Sequence, residues 1–172
     1  MKRIIALCGA VVLCLSLLSG CAKPGANGPT PDKQEKVDLA AFAQTVQENH
    51  EFHSLERADP EDAEVGAVML GNWYPGLTDL DLEQVEIYTA MISFSGGELA
   101  LVEAKNAEDA AKVKEIFQAR IDQKSVDGIG NYPDEVEMWK NHARLADHGN
   151  YVMLVNHEDS EAIAGEFNAL FS

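Results

Sequence analysis

Two β-strands joined by a tight turn are predicted by residues 84–105, QVEIYTAMISFSGGELALVEAK. The first strand, Gln84–Phe94, is rich in β-branched and aromatic residues, and both of its alternating faces are partly apolar. Two apolar faces are typical of an inner strand that is covered on both sides. The glycines of Ser95-Gly96-Gly97 provide the positive φ angles of a hairpin turn, so Glu98–Lys105 is predicted to return as the second strand.

Helical periodicity follows this hairpin directly. Asn106 is a good helix cap, and an apolar stripe recurs behind it at Ala110, Val113, Ile116, Phe117 and Ile121. Gly128 and Gly130 end that helix, and Asn131-Tyr132-Pro133 opens a short helix that continues through Trp139. A second hairpin is predicted from Ala143–Asp147 and Tyr151–Asn156, and a last helix begins near Asp159-Ser160.

Two more helices precede the first hairpin, one beginning near Asp38 and one running from Asp59-Pro60 to Trp73. The order of elements predicts an α+β domain with a four-stranded antiparallel sheet built from two hairpins and packed by helices. We expect the helix after Asn106 and the last helix to share one face of the sheet. The first two helices should cover its edge or part of the other face.

The N-terminus has the layout of a bacterial lipoprotein signal. Basic residues precede the apolar run Ile4–Leu18, and the run ends in Leu18-Ser19-Gly20-Cys21, which is typical of a lipobox. The run is shorter than the roughly 18–20 residues of a membrane span, and Leu18 at position −3 disfavours ordinary secretion. We therefore predict a signal peptide at residues 1–20 and a lipid, including palmitate-type acyl chains, on Cys21.

A flexible tether is predicted at residues 21–36, because four prolines and glycines fall within Pro24–Pro29 and large apolar residues are absent. Residues 37–172 then form a single domain, which has the size typical of one hydrophobic core. Cys8 and Cys14 lie in the signal segment, so the domain is predicted to fold without a disulfide.

The chain is strongly acidic, with a formal net charge of −16. Removal of residues 1–20 takes away Lys2 and Arg3 and no acid, which leaves −18. Such a charge repels nucleic acid and anionic lipid headgroups, so we expect attachment to the membrane through the lipid and a cationic protein or peptide as partner. The alternative is that the charge serves only the solubility of a surface protein. The oligomeric state is left open by the sequence.

One cluster of residues has metal-ligand character: His50, His53 and Glu56. Zinc peptidases carry His-Glu-x-x-His, whereas this segment reads His-Glu-x-His, so that motif is excluded. A looser metal site is one interpretation of the cluster, and a polar helix end is the other. The usual local signatures of serine hydrolases and of dinucleotide binding are missing, and we expect no cofactor.

Four aromatic residues lie at predicted helix ends or starts: Trp73, Tyr74, Tyr132 and Trp139. Such residues line a groove for a glycan or peptide in some proteins. The alternative is that they close the core while their polar atoms reach its edge.

A set of features in fixed order carries a family resemblance. They are the Trp73-Tyr74 helix end with the acidic stretch behind it, the strand Glu98–Val102, the helix Glu108–Lys124, Tyr132-Pro133 and the strand entry Gly149–Val152. With the lipobox, the segment from Val65 to Asn156 resembles small lipoproteins of Firmicutes-type bacteria that share a domain of unknown function. The resemblance implies a Gram-positive surface lipoprotein and brings no catalytic residue.

The sequence therefore predicts an extracytoplasmic, membrane-anchored module that binds or assists a partner and is not an enzyme. The alternative is a metal-assisted hydrolase of the cell envelope with His50, His53 and Glu56 as ligands.

Overall fold

A computed structural model describes residues 36–62, 64–90, 97–126 and 132–172. The predicted signal peptide, the acylated Cys21 and the tether as far as residue 35 lie outside the described residues. So do the predicted end of the first strand, residues 91–94, the turn residues Ser95 and Gly96, and the helix stop at Gly128 and Gly130.

The described chain is an α+β domain in which helices cover both faces of an antiparallel sheet. In chain order its elements are α1 (Leu39–Asn49), β1 (Leu55–Arg57), α2 (Gly66–Trp73), a 3-10 turn (Leu77–Asp79), β2 (Leu82–Ala90), β3 (Glu98–Ala104), α3 (Ala107–Lys124), α4 (Pro133–His142), β4 (Ala143–His148), β5 (Tyr151–Asn156) and α5 (Ser160–Ala169).

The sheet has five strands in the order β1-β2-β3-β5-β4, and every neighbouring pair is antiparallel. Four strands were predicted; the fifth, β1, pairs Leu55–Arg57 with Tyr88–Ala90 at the edge of the sheet. Three residues are too few to show an alternating pattern, which is why the sequence does not reveal this strand. The expected α+β class with an antiparallel sheet is confirmed.

The middle strand β3 separates two hydrophobic layers. Ala100, Val102 and Ala104 face the layer that contains α2, α3 and α4, and Leu99 and Leu101 face the layer that contains α1 and α5. β5 alternates in the same way. The side chains of a strand point to opposite faces in turn, so a strand that is apolar at every position requires cover on both sides.

The expectation that the last helix shares a face with α3 is wrong. Ile163 and Phe167 of α5 pack with α1 against Leu99 and Met153, on the face opposite α3. Phe167 lies with its ring centroid 6.0 Å from that of Phe42 in α1. The apolar stripe of α1 alone is too narrow to cover this face, and α5 completes the layer.

The helix predicted to begin at Asp59-Pro60 begins later, at Gly66. The acidic residues before it form turns instead: the Asp62 carboxylate accepts hydrogen bonds from the backbone N–H groups of Glu64 and Val65. Gly66 packs so closely on this turn that an added Cβ would lie 1.7 Å from the carbonyl oxygen of Asp59. The close approach allows only glycine at this position. The caps predicted at Asp38 and Asn106 are confirmed.

Phe117→Ala tests the packing of α3. Phe117 is fully buried between α3 and the sheet, with its ring 5.4 Å from that of Tyr74. We expect the substitution to lower the free energy of unfolding by about 3–5 kcal/mol, because it leaves a cavity in the core. Urea denaturation measures the loss. The exposed neighbour Gln118→Ala is the control and should change stability by less than about 0.5 kcal/mol.

Candidate functional site

A buried ion pair joins the start of β3 to the last turns of α3. The Arg120 guanidinium donates from Nε to Glu98 Oε1 at 3.1 Å and from Nη2 to Glu98 Oε2 at 2.8 Å. The side chain of Glu98 is 2% exposed and that of Arg120 is 7% exposed. A two-point contact of this kind fixes the orientation of both groups, which offsets part of the cost of removing two charges from water.

Tyr74 completes the surroundings of Glu98. Its hydroxyl donates a short hydrogen bond to Glu98 Oε1, and Thr89 Oγ1 lies 3.5 Å from Oε2. Burial, together with the negative charge of Glu98, raises the pKa of Tyr74 well above its ordinary value. The hydroxyl therefore stays protonated and acts as a donor. Burial lowers the pKa of Arg120, but the charge and hydrogen bonds of Glu98 outweigh burial and hold it above its ordinary value.

Three aromatic rings surround the guanidinium of Arg120. Its Cζ lies 5.3 Å from the ring centroid of Trp73, 5.8 Å from that of Tyr74 and 5.6 Å from that of Trp139. These distances are within the range of cation–π attraction, which is strongest for pairs removed from water. Three of the four predicted aromatic residues therefore converge on one cation, which we call the Arg120 cluster, together with Glu98. Tyr132 is instead exposed at the N-cap of α4.

The two interpretations of the aromatic residues, closure of the core and lining of a groove, apply to different members of the set. Tyr74 and Trp139 are fully buried and close the core. Trp73 is half-buried and lines a cleft of about 560 Å³ between the end of α2 and the outer surface of α3. Arg120 borders the same cleft. The apolar surface of the cleft comes from Pro75, Leu80, Ile116 and Ala119. The ion pair thus holds one wall of an open apolar cleft.

A charged position on a buried helix face is the signal that could have revealed Arg120 from sequence. Arg120 lies three residues after Phe117 and seven after Val113, so it falls on the predicted apolar stripe. A charge at such a position requires a buried partner. The partner, Glu98, has no comparable signal, because one charged residue at the start of a strand is ordinary.

A second polar cluster joins α1 to α5. His50 Nδ1 lies 3.0 Å from Asp159 Oδ2, and His50 Nε2 lies 3.2 Å from Glu166 Oε1. Burial lowers the pKa of His50, and the hydrogen bonds to the two carboxylates raise it by more, so it lies above its ordinary value. His157 is close by: one potential ligand atom from each of His50, His157 and Asp159 lies within 4.8 Å of the others.

The structure separates the residues that were grouped as predicted ligands. His50 belongs to the group with His157 and Asp159, which contains neither His53 nor Glu56. His53 lines a neighbouring cleft of about 370 Å³ together with His157 and Asp159. Glu56 is exposed on β1, opposite Thr89 of β2. A metal site formed by His50, His53 and Glu56 stays a prediction.

Removal of only one of the two charges in the Arg120 cluster should strongly lower the stability of the fold. We expect Arg120→Met to lower the free energy of unfolding by about 3–5 kcal/mol, because Glu98 is left charged, buried and unpaired. The double variant Glu98→Gln, Arg120→Met removes both charges and keeps an oxygen for the Tyr74 hydroxyl. It should be at least about 1 kcal/mol more stable than Arg120→Met.

Urea denaturation of Arg120→Met and of the double variant measures this difference in stability. Lys114→Met is the control, because Lys114 forms an exposed pair with Asp147 at 2.7 Å and should contribute less than about 1 kcal/mol. If the double variant is less stable than Arg120→Met, the charge of Glu98 is not what the arginine compensates.

Comparisons with known proteins place these clusters in a family context. Among the described helices, none combines the length and hydropathy needed to cross a bilayer. No curated protein and no solved structure matches the chain. A family model does match residues 61–157, a segment that contains every member of the Arg120 cluster but not His50 or Asp159. Because the match covers more than half of the 172 residues, the chain belongs to the family described as "Domain of unknown function (DUF4358)".

Proposed function

We propose that this protein is a lipid-anchored, extracytoplasmic binding module of a Gram-positive bacterium. Its partner is a protein or peptide that carries cationic and apolar side chains. The lipobox at Leu18–Cys21 supports the anchor and the location. Two acyl chains on Cys21 are sufficient for stable attachment, which a single chain is not. The domain itself binds and does not catalyse.

The open cleft beside Trp73 is the observation that carries the binding role. Its volume of about 560 Å³ is in the range of natural ligand sites, and its lining is mainly apolar. Trp73 is held by its contact with Arg120, which is fixed in turn by Glu98. A preorganised wall lowers the entropy lost on binding, so the site suits recognition of an apolar side chain.

The surface at the start of α2, the helix whose last residues line the cleft, indicates the charge of the partner. Val65 and Val68 of α2 are 52% and 54% exposed and lie one helical turn apart. The exposed acids Glu61, Asp62 and Glu64 immediately precede them. This combination of apolar and acidic surface complements a peptide in which lysine or arginine flanks an apolar residue. The net charge of −16 adds long-range attraction for such a partner.

The metal-assisted cell-envelope hydrolase is the second candidate. One observation favours it: a potential ligand atom of His50 lies within 4.8 Å of one from each of His157 and Asp159. This group differs from the predicted ligand set of His50, His53 and Glu56. A hydrolase would require a bound metal and a substrate beside it.

Filling the cleft tests the binding role. Ala119 is exposed and lines the cleft, so Ala119→Trp should block it without disturbing the core. We expect calorimetric titration with short peptides of alternating lysine and leucine to show binding that weakens with added salt. Ala119→Trp should lower the affinity at least about tenfold, which corresponds to 1.4 kcal/mol.

Ala111→Trp is the matched control, because Ala111 is also exposed on α3 but does not line the cleft. It should bind the peptide like the unsubstituted chain. Equal affinity of the two tryptophan variants, or tighter binding of peptides of alternating glutamate and leucine, would contradict the proposed site.

Cys21→Ser tests the anchor. Only a thiol accepts the diacylglycerol, so the variant should lose incorporation of labelled palmitate and leave the membrane fraction after washing. Cys14→Ser is the control and should retain both. A Cys21→Ser protein that remains labelled and membrane-bound would show that the lipobox interpretation is wrong.

A further inference from the structure

We propose that His50, His157 and Asp159 form a binding site for a divalent transition metal ion such as Zn²⁺. His50 is the C-cap of α1, and the other two residues lie between β5 and α5. One potential ligand atom from each lies within 4.8 Å of the others. Imidazole nitrogen and carboxylate oxygen are ordinary zinc ligands. The site depends on neither the peptide cleft nor the lipid anchor.

The Nε2 atoms of both imidazoles already form hydrogen bonds. His50 Nε2 lies 3.2 Å from Glu166 Oε1, and His157 Nε2 lies 3.2 Å from the backbone carbonyl oxygen of Glu51. Both oxygens can only accept from an imidazole, so each Nε2 carries a hydrogen. Metal-binding histidines usually make such a bond, because it sets the tautomer that leaves the other nitrogen free to coordinate.

The Nδ1 atoms of the two imidazoles are the ones that would bind the metal ion. His157 Nδ1 accepts a hydrogen bond from the backbone N–H of Asp159 at 3.0 Å, so it is unprotonated, and a metal ion would displace this N–H from its lone pair. His50 Nδ1 lies 3.0 Å from Asp159 Oδ2. Two ligands with zinc bonds of roughly 2.0–2.2 Å are separated by about 3.3–3.6 Å in a tetrahedral site, a little more than this spacing. A metal ion would take the place of the proton between these two atoms.

The side chain of Asp159 is not used as a helix cap. Asp159 is the N-cap residue of α5, a position at which an aspartate ordinarily accepts a hydrogen bond from its own helix. Its side chain makes no such cap bond and is directed to His50 instead. The carboxylate is 58% exposed, so it can move toward His157 at little cost.

The three protein ligands leave a fourth position of a tetrahedral metal ion open. His157 and Asp159 both line the cleft of about 370 Å³ that also contains His53 and Glu158. A water molecule in this cleft can therefore complete the coordination. This arrangement belongs to the class of sites with an exchangeable position, as distinct from closed structural zinc sites.

Metal binding by the full chain tests the proposal. The chain is prepared with Cys8, Cys14 and Cys21 replaced by serine, so that no thiol competes, and is stripped with EDTA. We expect calorimetry to give one Zn²⁺ per chain and thermal unfolding to shift upward with added Zn²⁺. Co²⁺ should show the intensified visible absorption of a four-coordinate site. His157→Ala and Asp159→Asn should each weaken Zn²⁺ binding at least about tenfold.

His53→Ala and Glu56→Ala are the matched controls, since these residues stand near the site in sequence but outside the proposed ligand set. Both should bind Zn²⁺ like the parent chain. Circular dichroism in EDTA establishes that each variant is folded, and Asp159→Asn, which keeps its shape, decides the result if His157→Ala does not fold. Absence of Zn²⁺ binding by the parent chain overturns the proposal. Binding lost in His53→Ala and Glu56→Ala but retained in Asp159→Asn overturns it in favour of the other ligand set.

Discussion

The contact between Glu98 and Arg120 sets the arrangement of one whole layer of this domain. Two charges at this depth are stable only because each is satisfied in detail: Glu98 by a two-point contact and the Tyr74 hydroxyl, Arg120 by three ring faces. The five members of this cluster come from four places in the chain, namely β3, α3, α4 and the end of α2, which provides both Trp73 and Tyr74. A buried pair with such exact demands disfavours alternative packings, in which an uncompensated charge would remain in the core.

Local signals predicted the elements well where the chain carries caps and a long apolar period. The caps at Asp38 and Asn106 follow from side-chain chemistry within a few residues, and the start of α5 was predicted from the apolar period that follows it. β1 was missed because its partner strand, and not its own sequence, makes it extended. The start of α2 was misplaced because the turn at Asp59–Asp62 satisfies its own backbone and competes with a helix.

In the candidate sites, too, features with a local sequence signal were predicted, whereas contacts between distant parts of the chain were not. The aromatic residues Trp73, Tyr74 and Trp139 were found from their positions at helix ends, but the cation that gathers them was not singled out. His50 was singled out with neighbours in sequence, whereas its contacts in space are Asp159 and Glu166, more than 100 residues away. Pairings over such distances are decided by which helices share a sheet face, and the side of the sheet predicted for α5 was wrong.

The layer that contains α1 and α5 has a consequence for the order in which the protein folds. α1 is the first helix of the described chain, yet it packs on β2 and β3 from the middle and on α5 from the very end. Helices that depend on such distant segments pay a large loop-closure entropy before their contacts form. During synthesis, α1 can pack on β2 and β3 once these strands have emerged, but its contact with Phe167 forms only after the last helix has been made. A chain truncated before Ser160 would keep α1 on β2 and β3 but would leave Met153 and Val155 of β5 uncovered on that side.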